Sequence, residues 1–284
     1  MQTIGNKWRL PNYINKRQMK NICTLLLLLL FFNASAQKSL TITQMNRNID
    51  SIEKLSGSTR LDPKLIKNLY PLLKPNVIVE NADGGNCTIS LYHPFGLTIH
   101  LRHLRPDFTP ENYLCVPGAY TSIDTQIDGL YIEEGIGINE TINNKLTGAC
   151  ILSSDSIQFL GFEEINSQLI SQIKLSKKSM FQQSLLVKNK QIVPCDLFHS
   201  KKNLRRALIQ FKDNYFLIGE SQRRVTISDF QEALVKIGAI NAINLDMGTW
   251  SEGWYKNQTG EKITVGEKMY STKRQMNWII YTKP

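Results

Sequence analysis

"RRALIQFKDNYFLIGESQRRVTISDFQEALVKIGAINAINLD", Arg205 to Asp246, changes its periodicity twice, and its reading decides the fold. "ALIQF" and "YFLIGES" flank Lys212, Asp213 and Asn214, the pattern of two strands around a turn. "TISDFQEALVKIGA" then sets Phe230, Ala233, Leu234 and Ile237 on one helical face. Thr226 or Ser228 caps its start, Asp229 and Glu232 put negative charge in the first turn, and Gly238 takes the left-handed conformation past its end. "INAINLD" carries one charge, at its last residue, as a strand buried on both faces does. Strand, helix and strand at this length resemble a crossover unit. The unit ends on a carboxylate, Asp246, and opens into "MGTWSEGWY". Loops past the carboxyl end of a buried strand often hold chemistry, and Gly248 lets the backbone turn or approach a ligand. A buried carboxylate needs a partner, and Arg206, at the start of the neighbouring strand, is the candidate. Asp246 is either a functional group or one half of a strand-end ion pair.

Upstream of this unit, "NVIVEN", "CTISLYH", "GLTIHLRHL", "NYLCVPGAY", "GLYIEEG" and "CILSSDSIQFLGF" are short strand-like runs separated by Gly, Asn, Asp and Pro. The pattern is irregular over 166–180, and "SLLVKNKQIVP" reads as a hairpin with Asn189-Lys190 at its tip. Residues 41–75 have helical spacing, with Met45, Ile49, Ile52 and Leu55 and then Leu65, Ile66, Leu69, Leu72 and Leu73 on one face. The expected fold is therefore α+β: a mixed β-sheet core with packed helices and a helical N-terminal lead-in over 37–76, the main domain being 77–284.

"MKNICTLLLLLLFFNASAQ", from Met19, has a basic start, an apolar run from Ile22 to Phe32 and an Ala34-Ser35-Ala36 cleavage site. This is the pattern of a secretory signal peptide, and the run is too short to span the ~30 Å of a bilayer as a helix. Residues 1–36 are expected to be removed, residues 1–18 being an upstream extension, so the mature chain begins at Gln37, is secreted or periplasmic, and keeps no stable membrane anchor. The formal charge of the 284-residue chain is +10. Removing Lys7, Arg9, Lys16, Arg17 and Lys20 leaves 29 basic and 24 acidic residues, a mildly basic surface with no signature of a nucleic-acid partner. Cys87, Cys115, Cys150 and Cys195 remain, either as two disulfides or as buried free thiols. No Cys spacing makes a C-x-x-C metal site. In "HPFGLTIHLRHLRPDF", His100 and His103 point to opposite faces of a strand, so no metal is expected there. Arg102 shares a face with His100, and the strand is either a contact for an anionic ligand or a basic surface.

The stretch from Arg205 to Ser251 resembles the phosphodiester glycosidase family, which shows an Arg-initiated strand "R-x-A-x-G", a helix, and "L-G-A-x-N-A-L-N-L-D-G-G-G-S". Here the corresponding segments read "RRALIQF" and "ALVKIGAINAINLDMGTWS", with Arg206, Asn241, Asn244, Asp246 and Gly248 on matching positions. "CVPGAYTSIDTQIDGLYIEEG" is similar to the family's "N-G-G-Y-F" segment through Gly118, Tyr120 and Gly129, and "FQQSLLVKNKQIV" is similar to its "Q-x-G-P-x-L-V-x-x-G-K" hairpin. The resemblance implies a secreted or lumenal hydrolase for a sugar joined through its anomeric oxygen to a phosphodiester; no cofactor is expected. Its ligand would be a glycan or sugar phosphate. Such a substrate needs cationic groups and backbone N–H donors for its charge, and carboxylates near an oxocarbenium-like centre. Asp246 is then the acid/base or stabilising group, Arg206 a phosphate or carboxylate clamp, and the Gly248 loop a source of backbone donors. Asn244, Gly118 and Tyr120 line the substrate, and Glu252 is a second carboxylate able to pair with Asp246. Two departures stand out: Pro117 replaces the family's Asn, and Met247-Gly248-Thr249-Trp250 replaces the Gly run after the Asp. Trp250 and Trp254 either stack on a sugar or pack under "MNWIIYTK". The alternative function is a non-catalytic envelope glycan-binding protein that kept the fold.

Overall fold

Short runs punctuated by turn residues pair most cheaply with their sequence neighbours, which gives antiparallel sheets. The computed structural model describes residues 75–284 except 123, 154–155, 196–200, 249–250 and 268–272. Its strands in chain order are β1 (Asn76–Asp83), β2 (Thr88–Phe95), β3 (Thr98–Arg102), β4 (Asn112–Pro117), β5 (Tyr131–Glu133), β6 (Ile136–Asn139), β7 (Gly148–Leu152) and β8 (Ile157–Gly161). They continue with β9 (Ser179–Gln183), β10 (Leu185–Lys188), β11 (Gln191–Ile192), β12 (Arg206–Phe211), β13 (Tyr215–Ser221), β14 (Asn241–Asn244), β15 (Gly253–Lys256), β16 (Lys262–Val265) and β17 (Trp278–Thr282). Helix α1 (Ser167–Leu175) precedes β9, and α2 (Ile227–Lys236) joins β13 to β14.

The strands form three sheets, ordered β1-β2-β13-β12-β14-β10-β11, β16-β15-β4-β17-β3 and β6-β5-β9-β7-β8. Every strand pairing within them is antiparallel. This corrects the α+β expectation. The described chain is mostly β, with three antiparallel sheets in place of a mixed sheet with packed helices. The signal segment and residues 37–74 of the expected lead-in lie outside the described residues; Asn76 already opens β1. Helix α1 falls in the stretch whose pattern looked irregular. Asn166 caps it through Leu169 N–H at 2.9 Å, but only Ile173 is buried, so it leaves little apolar periodicity in the sequence.

The crossover unit forms as its residues dictate. The Thr226 hydroxyl accepts from Asp229 N–H at 3.1 Å while the Asp229 carboxylate accepts from Thr226 N–H, a reciprocal cap of α2. At the other end Gly238 stands at φ +89°, with its N–H on Val235 O and Ala239 N–H on Leu234 O. Strands β13 and β14 both pair with β12, which lies between them, so the crossover links two parallel strands that do not touch. The β10–β11 hairpin turns at Asn189 and Lys190, both at positive φ.

Alternation along β12 and β14 divides the core. Ala207, Ile209 and Ala242 face Phe230, Ala233 and Leu234 of α2. Leu208, Ile243 and Leu245 face Leu114, Val116 and Ile279 of the second sheet. The central strands are buried on both faces because a helix covers one and a sheet the other. All four described cysteines are free and buried. Cys115 packs with Trp254, Trp278 and Ile280, Cys150 lies in the inter-sheet core, and Cys87 and Cys195 lie under α2.

Candidate active site

Asp246 is two residues past the end of β14 and 2% exposed. Its N–H donates to Gly118 O at 2.8 Å. Its Oδ2 accepts from Thr121 N–H at 2.8 Å and from Gln275 Nε2 at 3.3 Å. Asn277 closes the ring: its Oδ1 accepts from Gly118 N–H and its Nδ2 donates to Thr121 Oγ1, both at 2.9 Å. The loop after β4, the approach to β17 and the end of β14 thus meet on one carboxyl group. Burial pushes this carboxyl up to about 8, against the lowering effect of the Gln275, Thr121 and Met247 donors. At neutral pH Asp246 is predominantly protonated. Thr121 N–H and Gln275 Nε2 share Oδ2.

Asn244, two residues earlier at the end of β14, donates from Nδ2 to Tyr120 Oη at 3.0 Å. Burial raises the Tyr120 hydroxyl, with the nearby Asp246 and Cys195 adding to it, so it stays a neutral donor. Gly248 follows at φ +78°, and a Cβ built there meets no atom of the described residues within 4 Å. The backbone at this position therefore takes a shape suited to glycine.

Arg206 does not join this group. The register sets Ala207 opposite Asn244, so Arg206 projects to the other face of the sheet from Asn244. The Arg206 Nε and Nη2 donate to Glu220 Oε2 at 2.8 and 2.5 Å, and Nη2 also donates to Ser251 O at 2.9 Å. Among the described residues no hydrogen bond or ion pair links Arg206 to Asp246. Arg205 takes the site's face instead, where Tyr120 and Cys195 influence its guanidinium; its Nε and Nη2 bond Val225 O and Lys201 O. Glu252 is bound to Arg105 at 2.9 Å. Arg102, on edge strand β3, is held by Glu134 at 2.6 Å. Trp254 is 1% exposed and packs edge-on against Phe108, so it belongs to the core. Thr249 and Trp250 lie outside the described residues. Among the described residues no group of three or more His, Cys, Asp or Glu is placed to hold a metal ion.

A family model described as phosphodiester glycosidase matches residues 113–281, which runs from β4 through the Asp246 loop to β17. The chain belongs to the phosphodiester glycosidase family. Among solved structures this family member is similar to the catalytic domain of zebrafish N-acetylglucosamine-1-phosphodiester alpha-N-acetylglucosaminidase auto-inhibited by pro-peptide. That likeness has 14% identity and a TM-score of 0.53, over 74% of this chain and 83% of the other. A hypothetical protein from Synechocystis is similar at 9% identity and a TM-score of 0.50, over 72% of this chain and 62% of the other. At such identities the likeness is one of fold. No curated protein matches the chain.

Of the residues on the phosphodiester glycosidase motifs, Gly118, Tyr120, Asn244 and Asp246 are joined by hydrogen bonds, with Gly248 next along the chain. Thr121, Gln275 and Asn277 escaped sequence reasoning. Thr121 adjoins Tyr120, and in "RQMNWIIY" the carboxamides of Gln275 and Asn277 alternate with Met276 and Trp278. Two polar side chains sharing a face at the mouth of an apolar strand was a readable signal. Their partners, 29 residues away at Asp246 and 156 away at Thr121, were not.

Proposed function

We propose that the chain is an exported hydrolase that cleaves the bond between the anomeric carbon of a sugar and the oxygen of a phosphodiester. The observation that carries this is the buried Asp246, whose carboxyl burial pushes up, set past a strand end within a phosphodiester glycosidase domain. The zebrafish enzyme of similar fold is named for an activity on the same type of bond, and residues 19–36 supply the export signal. Water forms the new bond to the anomeric carbon as the bond to the bridging oxygen breaks. Asp246 gives its proton to the departing phosphate oxygen and recovers one from the attacking water. A carboxyl that is neutral at physiological pH is suited to this general-acid step. Among the described residues no helix is long and apolar enough to cross a membrane.

A second reading, a glycan-binding protein without turnover, has one observation in its favour. Arg206 and Glu252, the charges assigned to phosphate and to a second carboxylate, are already bound to Glu220 and Arg105. The experiment is release of sugar from a panel of activated sugar-1-phosphodiesters by wild type and Asp246→Asn. Turnover that falls about 10²–10⁴-fold in the variant supports the hydrolase. An unchanged rate rejects Asp246 as the acid, and wild type inert on the whole panel selects the binding protein.

A further inference from the structure

Two carboxamides beside Asp246 are arranged alike. Gln275, 1% exposed, donates from Nε2 to Asp246 Oδ2, and its backbone carbonyl is fixed by Trp278 Nε1 at 3.0 Å. Asn244, 2% exposed, donates from Nδ2 to Tyr120, and its backbone N–H is fixed on Ser184 O at 2.8 Å. In both, the donor end is used on the framework. The acceptor ends, Gln275 Oε1 and Asn244 Oδ1, are buried without a partner among the described residues. Leaving such an oxygen unpaired is costly, so what enters the site must bring donors.

We propose that Gln275 Oε1 and Asn244 Oδ1 read donor groups on a neutral sugar ring at the deep end of the Asp246 site, and that the phosphodiester lies outward over the Gly248 loop. The proposal rests on the sugar-phosphodiester reading and adds the orientation of the substrate and a specificity-determining residue, Gln275. A sugar hydroxyl or amide N–H donates. An ionised phosphodiester only accepts, and in the deep position it would have no donor to give the two carboxamide oxygens. The donors around Asp246 are already committed: Thr121 N–H and Gln275 Nε2 to Oδ2, Gly118 N–H to Asn277, and Asn277 Nδ2 to Thr121. Among the other buried groups without a hydrogen bond to the described residues, Ser184 Oγ beside Asn244 is a hydroxyl that can donate or accept, and the side chains of Arg206 and Gln183 bond none of these groups. Arg206 Nη1 is on the opposite sheet face, and Gln183 Nε2 is at the end of β9, where the backbone pairs with Gly148. A Cβ built on Gly248 meets no atom of the described residues within 4 Å, which leaves the phosphate room there.

The test is calorimetric binding of methyl glycosides of common hexoses and N-acetylhexosamines, and of their monodeoxy analogues, to the whole protein, with inorganic phosphate as a competitor. Wild type is expected to bind at least one neutral glycoside, to lose about 10- to 100-fold when one particular donor group is deleted, and to keep that affinity when phosphate is added. Gln275→Met is expected to bind the parent glycoside more weakly by a similar factor and to stop distinguishing it from that deoxy analogue. Absence of glycoside binding, indifference to every deletion, displacement of the glycoside by phosphate, or discrimination retained in Gln275→Met would each overturn the proposal. The wild-type deoxy series and the phosphate competition decide it even if the variant does not fold. Hydrolysis is measured separately: discrimination without turnover rejects the hydrolase and leaves this inference standing, and turnover without discrimination does the reverse.

Discussion

Asp246 shows how one residue sets a conflict between stability and chemistry. Its carboxyl titrates near 8 in the folded protein and near 3.8 in a free chain. The folded state therefore holds the proton more tightly, and between these values the unfolded chain binds fewer protons. Stability is fully present below about pH 4, declines as pH rises toward 8, and levels off beyond it, at about 1.4 kcal/mol per pKa unit of difference. Asp246→Asn keeps the shape and removes the titration. Its melting temperature is expected to equal or exceed that of wild type at pH 8–9, with a flatter dependence between pH 5 and 9, in parallel melting curves of the two proteins. The same ionisation removes the general acid, so kcat/KM of wild type should fall on the alkaline side of about pH 8. A profile that rises through pH 8 would mean that the carboxylate, not the acid, is the working form.

Strands β12 and β13 are fastened by an ion pair that also secures two loops. Arg206 and Glu220 face each other in register. From this pair Arg206 holds Ser251 O in the loop after β14, and Glu220 Oε1 accepts from Gly266 N–H at 3.1 Å after β16. Both side chains are buried. Removing one partner strands a desolvated charge, so Glu220→Gln is expected to cost about 3–5 kcal/mol in denaturant unfolding. The double replacement Arg206→Met with Glu220→Leu is expected to cost less than either single change, because no charge is left behind. Additive losses in that cycle would show that the two side chains act independently. This pair was not legible beforehand. The sequence offered Arg206 and Asp246 as neighbours across adjacent strands, but Arg206 bonds Glu220 and Ser251 while Asp246 bonds Thr121 and Gln275.

Three antiparallel sheets bury the four described cysteines in three separate clusters, each held by packing and not by cross-links. Burial raises the thiols of Cys87, Cys115 and Cys150, making them poor nucleophiles. The melting temperature of the mature protein should be the same with and without a reducing agent. All four thiols should react with a thiol reagent in denaturant and at most slowly in the native state. A drop in melting temperature on reduction would reveal a disulfide.

What the sequence determined alone is local. Strand runs, the capped helix ending at Gly238, the tip at Asn189-Lys190 and the carboxylate after a doubly buried strand all follow from residues within a few positions of each other. Their physics is short-range: side-chain period, cap hydrogen bonds and left-handed backbone at turns. The family motifs likewise marked Gly118, Tyr120, Asn244 and Asp246. The antiparallel architecture, the face taken by Arg206 and the Gln275–Asn277 bracket around Asp246 were decided only in the tertiary structure. Each depends on which distant strand lies alongside and in what register, and a register shift of one residue reverses every side chain.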